Sequence, residues 1–125
     1  MEDEAWRSVD VVRNNTVSEA TTGIDVTDIS NAVSVEENEI TDSTIGLSDW
    51  YATDSVYRNN TIDEIDQTGI QMIGSSSYPI TNVTLPNNAI RNVGRTGNAP
   101  AITLWEAAEV SITGSTVSGG RIAVG

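Results

Sequence analysis

Two sets of side chains in this 125-residue chain have the types and spacing to do chemistry. The first is acidic. Glu19, Asp42 and Glu64 recur at nearly equal intervals, Asp63 stands beside Glu64, and Arg91 follows further along. Clustered carboxylate oxygens are what a hard cation such as Ca2+ takes as ligands, so Glu19, Asp42, Asp63 and Glu64 are candidate Ca2+ ligands. The alternative is a plain acidic face turned toward salty solvent, because like charges stacked without a cation repel. The second set is aromatic: Trp50, Tyr51 and Trp105, with Gln71 between them in the chain. Flat rings beside hydrogen-bonding groups suit the faces of a polysaccharide, while two other uses of such rings are a protein interface and packing over a turn.

Composition removes several other chemistries. The chain has 18 acidic residues against six basic ones, all six Arg, with no Lys and no His, for a formal charge of −12. That sign opposes binding to nucleic acid phosphates. Absence of Cys removes disulfides, thiolate metal sites and thiol nucleophiles together. No apolar run approaches the ~18 residues that a membrane span requires. Excess carboxylate with Arg in place of Lys resembles the composition of salt-adapted proteins.

What must position these residues is a repeat. Aligned on one Asn, five segments match: VVRNNTV, SVEENEI, VYRNNTI, TLPNNAI and SITGSTV. Their anchors are Asn15, Asn38, Asn60, Asn88 and Ser115, separated by 23, 22, 28 and 27 residues. A second anchor follows each, as GIDV, GLSD, GIQM, AITL and RIAV. Self-similarity with a period in the twenties and insertions confined to turns is the mark of a solenoid. Within each repeat, apolar and polar residues alternate and Val, Ile and Thr are frequent, which predicts short strands with one buried face. Strands of successive coils then stack in parallel at ~4.8 Å.

Stacking sets like above like. Val12, Val35, Tyr57, Leu85 and Ile112 are expected in one inward column, and Val17, Ile40, Ile62, Ile90 and Val117 in another. Asn15, Asn38, Asn60 and Asn88 form a structural ladder at a tight corner, since Asn tolerates the left-handed conformation and its amide can bond to the Asn of the next coil. Arg13, Glu36 and Arg58 alternate in sign along an outward column, worth ~0.2–1 kcal/mol per pair. Thr27, Trp50, Ile73 and Trp105 share another outward position, with Asp25, Ser48, Gln71 and Thr103 beside them. Asp49, expected inward, signals a slip of register near Trp50.

Patterns such as NVTLPNNAI followed by a Gly-Ile anchor resemble the right-handed parallel β-helix repeats of the pectate-lyase-like superfamily, including NosD-type periplasmic proteins. The resemblance runs from about residue 9 to 125. It implies an all-β fold, a right-handed parallel β-helix of about five coils in one domain spanning residues 1–125, a piece of a longer solenoid or a unit whose last coil pairs with another chain. Lyases of this superfamily pair acidic Ca2+ ligands with an Arg base, which makes Asp63 and Arg91 the catalytic candidates. The departures are the lack of any His motif, of an adjacent Asp pair and of a lyase signature around Arg91 or Arg95.

The function expected is therefore recognition without catalysis: an extracellular or cell-surface module that binds a polysaccharide through Trp50, Tyr51, Gln71 and Trp105. A Ca2+-assisted polysaccharide-processing enzyme and a structural assembly unit that self-associates through uncapped coil ends are the alternatives.

Overall fold

The computed structural model describes residues 10–26 and 32–125, and these fold into fifteen short strands with no helix. Each coil carries three. The first holds β1 (Asp10–Arg13), β2 (Thr16–Ser18) and β3 (Thr22–Asp25); the second β4 (Val33–Glu36), β5 (Glu39–Ser43) and β6 (Ile45–Trp50). The third holds β7 (Val56–Arg58), β8 (Thr61–Ile65) and β9 (Ile70–Ile73); the fourth β10 (Val83–Pro86), β11 (Ala89–Arg91) and β12 (Ile102–Trp105). The fifth holds β13 (Val110–Thr113), β14 (Thr116–Ser118) and β15 (Ile122–Val124). Corresponding strands pair in parallel, giving three five-stranded sheets with orders β1-β4-β7-β10-β13, β2-β5-β8-β11-β14 and β3-β6-β9-β12-β15. This is the expected β-solenoid of five coils.

The inward columns match the alternation in the sequence. Val12 lies opposite Val35 and Val35 opposite Tyr57, with Leu85 opposite Ile112. Ile40, Ile62 and Ile90 align on the second sheet, flanked by Val17 and Val117. Val35, Tyr57, Leu85, Ile40 and Ile62 are fully buried. The Gly of the second anchor has a steric cause. A Cβ on Gly46 or Gly69 would run into the methyls of Ile62 or Ile90 and the carbonyl of the next coil, so Gly lets these coils close tightly, whereas the matching positions further on are Ala101 and Arg121.

Asn15, Asn38, Asn60 and Asn88 form the expected ladder. Each of the first three donates from Nδ2 to the Oδ1 of the next, all at 3.0 Å. Ser115 ends it by accepting from the Asn88 backbone N–H at 3.0 Å. One detail differs from expectation: the left-handed residue is the one before each ladder position. Asn14, Glu37, Asn59, Asn87 and Gly114 have φ between 55° and 60°. The ladder residues are buried at Asn38, Asn60 and Asn88 because their amides replace backbone partners that the turning chain leaves unpaired.

A second correction concerns Asp49. The register does not slip there: Ser48, Asp49 and Trp50 pair with Gln71, Met72 and Ile73 in unbroken sequence. Asp49 occupies an inward position and is 4 % exposed. The acidic stretch near the N-terminus and Thr27 lie outside the described residues. No helix among the described residues is long and apolar enough to cross a membrane.

Candidate functional site

The aromatic side chains gather on the outer face of the third sheet and the corner that follows it. Trp50 and Trp105 both align with Ile73, one from each side, so the two indoles are two coils apart in one column, ~9.6 Å by strand spacing. Trp50 is 37 % exposed and Trp105 53 %. The neighbouring column runs Asp25, Ser48, Gln71 and Thr103 as expected, and the Gln71 amide donates to Ser48 Oγ at 3.2 Å.

Tyr51 joins the cluster through an unfavourable backbone. Its φ is 68°, a conformation in which a bulky side chain is an outlier. Its N–H donates to Ile73 O at 2.8 Å, and the matching corner positions in the next two coils are Gly74 and Glu106. There the Tyr51 ring meets Trp50 edge-on, with centroids 6.1 Å apart, and Tyr78 edge-on at 5.9 Å. Tyr78 was not among the residues expected here. It comes from the insertion at residues 74–80, is 68 % exposed, and its N–H donates to Ser75 Oγ at 3.1 Å. The available signal was an aromatic in a Ser-rich insertion that falls on the coil between the two tryptophans. Trp105 is anchored differently: its indole lies on the backbone of Gly125, where a Cβ would penetrate the ring.

The carboxylates occupy a different corner, between the second and third sheets. Glu19, Asp42 and Glu64 are exposed and left-handed, with φ from 51° to 58°, so they mark a turn column. Asp63 pairs across the sheet with Arg91, and Arg91 Nε donates to its Oδ2 at 3.0 Å while Asn92 Nδ2 donates to its Oδ1 at 2.8 Å. Partial desolvation pushes the Asp63 carboxyl up, but the bonds from Asn92 and Arg91, the Arg91 charge and the Glu64 N–H outweigh it and leave its pKa below the ordinary carboxylate value. Asp66 is served by Arg95, whose Nη2 lies 2.9 Å from Asp66 Oδ1 and 3.9 Å from Asp42 Oδ1. Arg95 belongs to the second insertion, which folds back so that Gly94, Arg95 and Thr96 donate to the carbonyls of Gln67, Ile65 and Asp66.

Alternating charges on the first sheet behave as expected: Glu36 sits between Arg13 at 3.4 Å and Arg58 at 3.7 Å. With three parallel sheets, stacked columns and an amide ladder established, the comparison with known families is decisive, for the profile of the right-handed β-helix region matches residues 7–124. The chain belongs to the right-handed β-helix family. No curated protein and no solved structure matches it.

Membership of the β-helix family fits a carbohydrate-related or a structural role. Among the described residues no three acidic side chains come together as a metal group would require. Asp63 has both oxygens engaged by Arg91 and Asn92, and Arg95 approaches Asp42 and Asp66. Arginine cations already meet Asp42, Asp63 and Asp66, so the residues present do not fit Ca2+. The Arg95 contact leaves no periodic signal in the sequence, because its insertion has no counterpart in other coils to reveal where it folds.

Proposed function

We propose that this β-helix is a polysaccharide-binding module of a secreted or surface protein, with Trp50, Tyr51, Tyr78 and Trp105 as the contact face. The observation that carries this reading is the pairing of two exposed indoles in one outward column with Gln71 beside them. A sugar chain laid along the stack would cross rings and hydrogen-bonding groups in turn, and aromatic rings supply large contact area with few rotatable bonds. Tyr51 adds a third ring, carried onto this face by a left-handed corner that Glu106 repeats two coils on.

Affinity electrophoresis in gels containing neutral and anionic polysaccharides tests the reading. The chain is expected to be retarded by at least one of them, and Trp50→Ala with Trp105→Ala to abolish the retardation. Retardation undiminished in the double variant would remove the basis of the proposal.

A second reading, an assembly unit, draws on the last coil, where Ile122 is 45 % and Val124 70 % exposed. Sedimentation of the 125-residue chain distinguishes it, since a strict monomer at high concentration leaves that reading without support.

A further inference from the structure

We infer that the aromatic face selects uncharged polysaccharides and turns away polyuronates and sulfated glycans. The inference rests on the glycan-binding reading above and adds the charge class of the ligand to it.

The argument starts from where the cations are. Recognition of a sugar carboxylate or sulfate relies on Arg or Lys, best as a bidentate guanidinium. The chain has no Lys and no His. Every described arginine stands away from the rings and is already engaged. Arg13 and Arg58 flank Glu36 at the far end of the first sheet's strands. Arg91 and Arg95 serve Asp63 and Asp66 at the corner between the second and third sheets. Arg121 donates from Nη1 to Asn98 O at 3.0 Å beside a recess of about 260 Å³. It enters the third sheet at the end opposite the rings, ~13 Å along the strand from Gly125 under Trp105.

The charges at the rings have the other sign. Glu106 directly follows Trp105, and Glu109 lies three residues further; both are exposed. Asp54, on the corner beyond Tyr51, is exposed and accepts from Asn82 Nδ2 at 2.7 Å. Asp25 starts the neighbouring column and is also exposed; the other polar groups of the face are neutral: the Gln71 amide, the Thr103 hydroxyl and the hydroxyls of Ser75, Ser76 and Ser77 next to Tyr78. These match the hydroxyls of an uncharged sugar. An anionic chain would approach a surface of its own sign, on a protein whose net charge is −12.

The test compares polymers that share a backbone and differ in charge: hydroxyethylcellulose against carboxymethylcellulose, and methyl-esterified against de-esterified polygalacturonate. Dissociation constants are measured at 50 mM and 1 M NaCl for the wild-type chain and for Trp50→Ala. In each pair that binds, the neutral member is expected to bind about tenfold or more tightly at 50 mM NaCl. The gap should narrow at 1 M NaCl, where the screening length falls to ~3 Å. An anionic member that binds as tightly as its neutral partner, with Trp50 required, overturns this inference and leaves the glycan-binding reading standing. Absence of binding to all four polymers, or binding indifferent to Trp50→Ala, overturns both.

Discussion

Arg95 Nη2 lies 2.9 Å from Asp66 Oδ1, a side-chain contact that joins three backbone hydrogen bonds in tying the insertion after β11 to the coil before it. The guanidinium also approaches Asp42, two coils from its own. The Asp66 hydrogen bond, together with the charges of Asp66, Asp42 and Glu64, raises the Arg95 pKa above its ordinary value. Arg95→Ala should therefore lower the melting temperature by a few degrees in dilute buffer. The loss should shrink in 1 M NaCl, which screens the repulsion left among the carboxylates. Scanning calorimetry at two salt concentrations checks this, and a salt-independent loss would show that the side chain acts through packing.

Asn60 offers a sharper test of the ladder. It is 1 % exposed, its Oδ1 accepts from the Asn38 backbone N–H at 3.1 Å and from Asn38 Nδ2 at 3.0 Å, and its Nδ2 donates to Asn88 Oδ1 and to Val35 O, each at 3.0 Å. Asn60→Ala strands several buried partners at once, so a loss of ~2–5 kcal/mol is expected. Asn15, exposed at the start of the ladder, should lose ~1 kcal/mol or less on the same change. Urea denaturation measures both, and equal losses at the two positions would refute the account of the ladder as a buried network.

Tyr57 yields a prediction of opposite sign. It occupies the inward column between Val35 and Leu85, is fully buried, and its hydroxyl has no hydrogen-bond partner among the described residues. A buried unpaired polar group costs ~1–3 kcal/mol, so Tyr57→Phe should leave the chain as stable or raise its stability by ~1 kcal/mol. A clear loss in urea denaturation would mean that the hydroxyl is satisfied in solution.

These cases show what the sequence could and could not disclose. Tyr57 was placed correctly because alternation determines which way a side chain points; whether its hydroxyl finds a partner depends on the lumen, which no single coil specifies. The ladder was legible because the same Asn recurs at each coil. Its left-handed residue lies one position before the ladder Asn, which the sequence hides because Asn14 and Asn59 precede Asn15 and Asn60 and only the Glu37 and Gly114 coils separate the two roles. Trp50, Gln71 and Trp105 were placed on the outer face by the same periodicity. Tyr78 and Arg95 were not placed at all, because insertions interrupt the period and their folding back is set by tertiary hydrogen bonds.

Asp49 makes the stability of the fold depend on pH in a direction unusual for a carboxylate. It faces inward in line with Met72 and Leu104, and burial first, then the Asp25 charge, raises its pKa from 3.8 to about 7. In the unfolded chain the group releases its proton near the ordinary value; in the folded chain it keeps it to about 7. The folded state thus binds more protons between those limits, and stability must fall as pH rises through the interval. Its contribution is whole below about pH 4 and is lost by the time pH passes 7, a change on the order of 4 kcal/mol. Asp49→Asn carries no such charge. The difference in unfolding free energy between Asp49→Asn and the wild-type chain should be small at pH 4 and should grow in favour of the variant up to pH 8. Urea denaturation of both chains across this range measures the difference, which cancels the titration of the exposed carboxylates common to both. A difference that stays flat from pH 4 to 8 would mean that Asp49 is ionised in the folded chain throughout.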